Sequence, residues 1–126
     1  MVQVTAAPDC GNAPKKQVLR DVTVALAERD TEKLLSAVAD DVEWEIVGRR
    51  TVHGKSGFAA AVTAAAERQA ETLRLDSILT HGSEGAVGSR MGFPGGGGMR
   101  CCDVYAFSGH GKTAKIKRIT SFWIEA

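Results

Sequence analysis

Ala39-Asp40-Asp41-Val42-Glu43-Trp44-Glu45-Ile46-Val47-Gly48 is the stretch in which the chain changes its period. Within it Val42, Trp44 and Ile46 alternate with Glu43 and Glu45, the spacing of a half-buried strand. Upstream the spacing is helical. Val18, Val22, Ala25 and Leu26 form one stripe behind Pro14, which suits a first helical turn, and the polar residues fall elsewhere. Asp30 or Thr31 can cap a second, shorter helix with the stripe Leu34, Leu35 and Val38, ending near Asp40. Residues 1–13 are small and polar, with Pro8, Gly11 and Asn12, and read as a flexible N-terminal arm.

Downstream, Gly48-Arg49-Arg50 turns the chain into a short return segment, Thr51-Val52-His53. Gly54 opens a third, alanine-rich helix whose Phe58, Val62, Ala65 and Gln69 share a face. After residue 70 the pattern is strands punctuated by glycine: 71–81, 86–93, 99–108 and 114–125. Gly82-Ser83-Glu84-Gly85 and Gly109-His110-Gly111-Lys112 are hairpin connections, and Pro94 with Gly95 to Gly98 makes a loose tip. Three helices followed by a largely antiparallel sheet define an α+β arrangement whose helices must cover one sheet face.

Composition excludes several classes. With 126 residues, 44% hydrophobic and 25% charged, the chain has enough apolar mass for one domain with its own core. Its net charge of +1 is too small a field for non-specific attraction to nucleic acid. No apolar run approaches the ~20 residues that span a bilayer, and the first residues lack the pattern of a signal peptide, so no membrane partner and a cytoplasmic location are expected. Cys101 and Cys102 are neighbours whose side chains point to opposite faces of a strand, which argues against a disulfide framework. His53, His81 and His110 each lack a second ligand at metal spacing, so no metal and no cofactor are expected. Gly54-Lys55-Ser56 and Gly111-Lys112-Thr113 end like phosphate loops, but Arg49 and Ala106 stand where the opening glycine belongs.

The order of these elements resembles the nuclear transport factor 2-like superfamily, in its SnoaL-like and ketosteroid isomerase-like branch. The resemblance covers residues 14–126 and rests on the quoted 39–48 stretch, on Val52-His53-Gly54-Lys55, on Asp103-Val104-Tyr105-Ala106-Phe107 and on Thr120-Ser121-Phe122-Trp123. It implies a cystatin-like cone, with three N-terminal helices packed on a curved, mostly antiparallel sheet. It also implies an apolar pocket inside and a homodimer contact on the outer sheet face. One scaffold hosts many functions, so the likeness indicates fold more sharply than activity.

Strand parity selects the residues that face the pocket. Trp44 and Ile46 point inward, which leaves Glu43 and Glu45 on the outer face. Cys101, Asp103, Tyr105 and Phe107 share one face, and the aromatic company makes it interior. A carboxyl group among aromatics has its pKa raised. In ketosteroid isomerase a protonated aspartic acid stabilises a developing oxyanion, and by resemblance Asp103 takes that position, with Trp123 as an aromatic wall. Alternatively, Asp103 only hydrogen-bonds its neighbours.

The rest of the isomerase machinery is missing. Ile46 stands where the resemblance puts the general base, and residues 14–29 contain no tyrosine to partner the oxyanion acid. The limonene epoxide hydrolase pattern wants arginine two residues before the strand aspartate, where Cys101 stands. His53 is the remaining base candidate, although its place beside Gly54 also fits simple helix entry. Arg90 faces either the pocket or solvent, and an inward Arg90 would imply an acidic ligand. The expected site is therefore catalytic Asp103 and His53, with Trp44, Ile46, Phe58, Met91, Tyr105 and Trp123 around a small hydrophobic organic ligand. The reaction class is isomerase, cyclase or hydratase chemistry on a hydrophobic carbonyl compound. The alternative is a non-catalytic ligand-binding or dimerisation module.

Overall fold

The computed structural model describes residues 2–7, 14–64, 68–109, 111 and 113–126. Helix α1 (Pro14–Glu28) is followed almost directly by α2 (Thr31–Ala37), and α3 (Gly54–Ala64) comes after the first hairpin. The strands are β1 (Gln3–Ala6), β2 (Val38–Ile46), β3 (Arg50–His53), β4 (Thr72–His81), β5 (Glu84–Gly92), β6 (Gly98–Phe107) and β7 (Ile116–Glu125). They form one sheet in the order β1-β4-β5-β6-β7-β2-β3. Neighbours pair antiparallel except β1 with β4 and β2 with β7. The sheet is curved and unclosed, and its concave face receives the helices.

Alternation makes the core. On β6 Met99, Cys101, Asp103, Tyr105 and Phe107 are buried, while Arg100, Cys102 and Val104 are exposed. Leu19, Val22 and Leu26 of α1 and Phe58 and Val62 of α3 pack down on that face. Among these apolar groups the Tyr105 hydroxyl reaches Thr23 Oγ1 at 3.1 Å, and Thr23 itself donates to the Leu19 carbonyl at 2.8 Å. The Tyr105 proton is thus the one available to Thr23, and burial raises the phenol well above its ordinary range.

The α1–α2 junction has a geometry that bears on the site. The Asp30 amide donates to the Ala25 carbonyl at 2.9 Å and the Arg29 amide to Leu26 at 3.3 Å, the bonding of a Schellman ending. Such endings favour glycine at the left-handed position. Here Arg29 occupies it, with φ of 57°. Asp30 then caps α2, its Oδ1 accepting from the Lys33 amide at 3.2 Å.

Several expectations change. Helix α2 stops at Ala37, not Asp40, because the β-branched Val38 is extended and pairs with Ile116 of β7. Within the segment read as an arm, Gln3–Ala6 is an edge strand on β4 and Val2 is buried, because the apolar Val2 and Val4 gain a place on the core. Gln69 lies beyond α3, where its side chain donates to the Glu28 carbonyl at 2.6 Å. Strand β5 begins at Glu84, paired with His81, which leaves Gly82-Ser83 as the turn. Ala65, His110 and Lys112 fall outside the described residues.

Gly85 shows how tightly α1 sits on the sheet. A Cβ there would stand 2.5 Å from Leu19 Cδ1 and 3.0 Å from the Leu79 carbonyl oxygen. Gly85→Ala is therefore expected to destabilise the fold by about 1–3 kcal/mol through overpacking. Gly88→Ala, whose Cβ would meet only Ser77 Oγ at 3.1 Å, is expected to cost less. Urea midpoints at a constant m-value measure both, and equal midpoints for the two variants would contradict this packing.

Candidate functional site

A chain of polar contacts crosses the inner wall of the sheet. Strand β7 places Ser121 opposite Asp103 and Trp123 opposite Cys101, so both side chains lean toward the Asp103 carboxyl group. Ser121 Oγ donates to Asp103 Oδ1 at 2.5 Å, and Trp123 Nε1 donates to the same oxygen at 2.9 Å. On the next strand, Trp44 Nε1 donates to Ser121 Oγ at 3.0 Å. The serine hydroxyl is thus acceptor to one indole and donor to the carboxyl group. One carboxyl oxygen holds two tryptophans in place.

The other oxygen, Oδ2, is buried without a hydrogen-bond partner. Asp103 itself is fully buried, and desolvation raises its pKa to about 6 against the opposing pull of the Ser121 and Trp123 donors. Cys101 beside it is pushed up to about 12 by burial and by the Asp103 charge, so it is a thiol and not a nucleophile near neutral pH.

Next to this wall lies a cavity of about 450 Å³. Trp44, Ile46, Ala61, Ala64, Met91, Phe93, Met99 and Trp123 supply its apolar lining. Four arginines complete it: Arg29 from the α1–α2 junction, Arg49 from the β2–β3 turn, Arg50, which opens β3 opposite Ile46 and is not part of the turn expected from sequence, and Arg68 after α3. Trp44 packs on Phe58 at 5.2 Å between ring centroids and edge-on against Trp123 at 6.0 Å. The Arg29 guanidinium lies over the Trp123 ring at 5.8 Å, and that of Arg68 over Phe93 at 4.8 Å.

The structure brings together only part of the site expected from sequence. Trp44, Ile46, Met91 and Trp123 line the cavity. Phe58, Tyr105 and Asp103 do not; all three are fully buried in the packed core around it. Asp103 faces inward as parity requires, but its Oδ1 is turned into the wall by Ser121 and Trp123. His53 is outside altogether. It sits on β3 with its side chain 72% exposed and Nδ1 3.5 Å from Glu43 Oε1, on the outward side that parity assigns to Glu43. Arg90 also points outward, its Nε 3.0 Å from Asp76 Oδ2. The pocket cations are the four arginines that sequence reading passed over. Arg49 and Arg50 were assigned to a turn, and nothing in periodicity marks a junction residue such as Arg29 as inward.

Comparison with known proteins places this geometry. Residues 19–116 match the model of the SnoaL-like domain. The chain belongs to the SnoaL-like family. Within the wider nuclear transport factor 2-like fold, this SnoaL-like protein is similar to a structure of unknown function from Cytophaga hutchinsonii, at 19% identity and TM-score 0.68, covering 86% of this chain and 97% of that one. It is similar to another of unknown function from Burkholderia xenovorans, at 13% identity and TM-score 0.72, covering 87% and 82%. A candidate ketosteroid isomerase from Kribbella flavida matches at 20% identity and TM-score 0.66, covering 90% and 79%. No curated protein matches the sequence. No helix among the described residues is long and apolar enough to cross a membrane.

The raised Asp103 carboxyl has a stability consequence of definite sign. Well below pH 3.8 both folded and unfolded chains hold the proton, and the unfolded chain begins to lose it around 3.8. As pH rises through about 6 the folded state must retain a proton the unfolded state has lost, or bury the charge, so stability is lost across that window. A shift from 3.8 to about 6 corresponds to roughly 3 kcal/mol. Asp103→Asn is expected to remove this dependence. The unfolding free energy of the parent minus that of the variant should fall by up to ~3 kcal/mol between pH 4 and pH 8, and a constant difference would mean that Asp103 titrates normally.

Proposed function

We propose that this SnoaL-like protein binds a small organic molecule with an apolar body in the 450 Å³ cavity, and that it does so as a binding protein without proton-transfer catalysis of the isomerase type. The composition of the lining carries this reading. Indole, phenyl, thioether, aliphatic and guanidinium groups surround the space, and no described lining side chain can accept a proton near neutral pH. The volume is that of a pocket for a ligand of moderate size, and two ordered tryptophans offer rigid surfaces to it. Ile46 lines the cavity at the position where the resemblance puts the base, and Asp103 does not line it, its Oδ1 being bonded to Ser121 and Trp123.

Emission from Trp44 and Trp123, the chain's two tryptophans, reports occupancy. An aromatic ketone or steroid enone is expected to quench that emission saturably. The same compound is expected to show no turnover above the buffer rate, since a positioned base typically supplies on the order of 10²–10⁴-fold. Turnover by the parent at isomerase-like rates would restore the enzyme reading. Absence of any saturable quenching by apolar ligands would remove the pocket reading.

The homodimer is proposed on a separate observation. Leu79, Val104, Phe122 and Ile124 are large exposed apolar side chains on the convex face, and the last is 69% exposed. Cross-strand pairing puts Leu79 opposite Ala86, Ala86 opposite Val104, and Cys102 between Gly88 and Phe122, so they form one strip. A twofold-related copy covers such a strip with itself. Sedimentation at micromolar concentration is expected to show a dimer, and Phe122→Glu with Ile124→Lys is expected to give a folded monomer. A monomeric parent would overturn the proposal.

A further inference from the structure

The cavity combines an apolar floor with an uncompensated cationic rim. Every ion pair among the described residues lies elsewhere: His53 with Glu43, Lys55 with Asp40, and Arg74 and Arg90 with Asp76. Arg29, Arg49, Arg50 and Arg68 line one cavity with no described acidic partner. Of the four, Arg29 is half-buried and the other three are exposed, so burial and like-charge repulsion meet at Arg29, and an anion entering the space relieves them there.

Arg29 concentrates the argument. It holds the left-handed position of a helix ending, where glycine carries no Cβ penalty and a longer residue is strained. Its Nε is buried without a hydrogen-bond partner, although the guanidinium is stacked on Trp123. Burial and the nearby charge of Arg68 lower its pKa from the ordinary arginine range. The side chain is therefore both positioned and unsatisfied: one guanidinium donor faces no acceptor, and its charge meets a second charge of the same sign. Arg68, stacked over Phe93, lines the same cavity, close enough for its charge to act on Arg29.

We propose that the cavity selects organic acids, the ligand's apolar body lying on Trp44, Met91, Met99 and Trp123 and its carboxylate held between Arg29 and Arg68. Guanidinium groups match a carboxylate in plane and can donate two parallel bonds to it. The anion relieves the repulsion between the arginines and supplies Arg29 Nε with an acceptor. Arg49 in the β2–β3 turn and Arg50 at the start of β3, both exposed, draw the acid in from solution. This assignment rests on the pocket being a ligand site. It replaces a neutral carbonyl compound with an amphipathic acid as the preferred class.

The test compares 1-pyrenebutanoate with its uncharged amide, read by quenching of tryptophan emission at fixed ionic strength. The acid is expected to bind at least about tenfold more tightly than the amide. Arg29→Gln and Arg68→Gln are each expected to shrink that preference severalfold with little change in amide affinity, whereas Arg90→Gln, on the outer face, leaves it unaltered. Unchanged far-UV spectra confirm that the variants fold. Equal affinity for acid and amide overturns the acid assignment while leaving the pocket reading intact. A preference that survives both pocket substitutions also overturns it, since the acid would then be held elsewhere. If neither compound quenches the emission, the pocket reading fails and the assignment falls with it.

Discussion

The interaction on which the inner wall depends is the pair of hydrogen bonds converging on Asp103 Oδ1 from Ser121 and Trp123. A tryptophan at a cavity wall has an apolar face that can slide and an N–H that cannot be left unpaired when buried. By accepting the Trp123 N–H directly and the Trp44 N–H through Ser121, one carboxyl group orients both rings. The Trp44 ring then packs on Phe58 and meets Trp123 edge-on, which sets the shape of the cavity next to them. The burial that raises the Asp103 pKa is the cost of using a carboxyl group where a neutral acceptor would do.

The proposed binding role assigns Asp103 to the wall and not to oxyanion chemistry. Its Oδ1 is committed to Ser121 and Trp123, and through that oxygen Asp103 acts by way of the residues it positions. In that role the residues that touch the cavity, from Trp44 and Met99 to the four arginines, hold the proposed ligand. The outer face carries an exposed aliphatic and aromatic strip, on which the proposed dimer rests.

The cavity's electrostatics arise from places where secondary structure is interrupted. Arg29 stands at a helix ending, Arg49 in a hairpin turn, Arg50 at the first position of β3, and Arg68 just past a helix. Strand and helix interiors supply the apolar floor because alternation and helical stripes commit every second or third residue to the core. Charged groups on regular elements are sent outward by the same rule, as with Glu43 and Arg90. Residues at junctions and at the ends of elements are free of it, and these four meet at one cavity.

Local periodicity by itself determined the three helices, the antiparallel run of long strands, and the inward parity of Trp44, Ile46, Asp103 and Tyr105. Those features are properties of residues two to four apart, and the side-chain period alone decides them. It did not determine that Val38 leaves helix for strand, since that follows from pairing with Ile116, nor that Gln3–Ala6 joins the sheet beside β4. Inward parity also could not distinguish a residue in the packed core, such as Phe58 or Tyr105, from one on the cavity surface, such as Met91. Above all, the meeting of Arg29 with Arg68, and of both with Trp123 and Phe93, was decided by tertiary structure. Turn and junction side chains have no period to betray their direction, so their charge enters the site only once the helices and the sheet have closed around it.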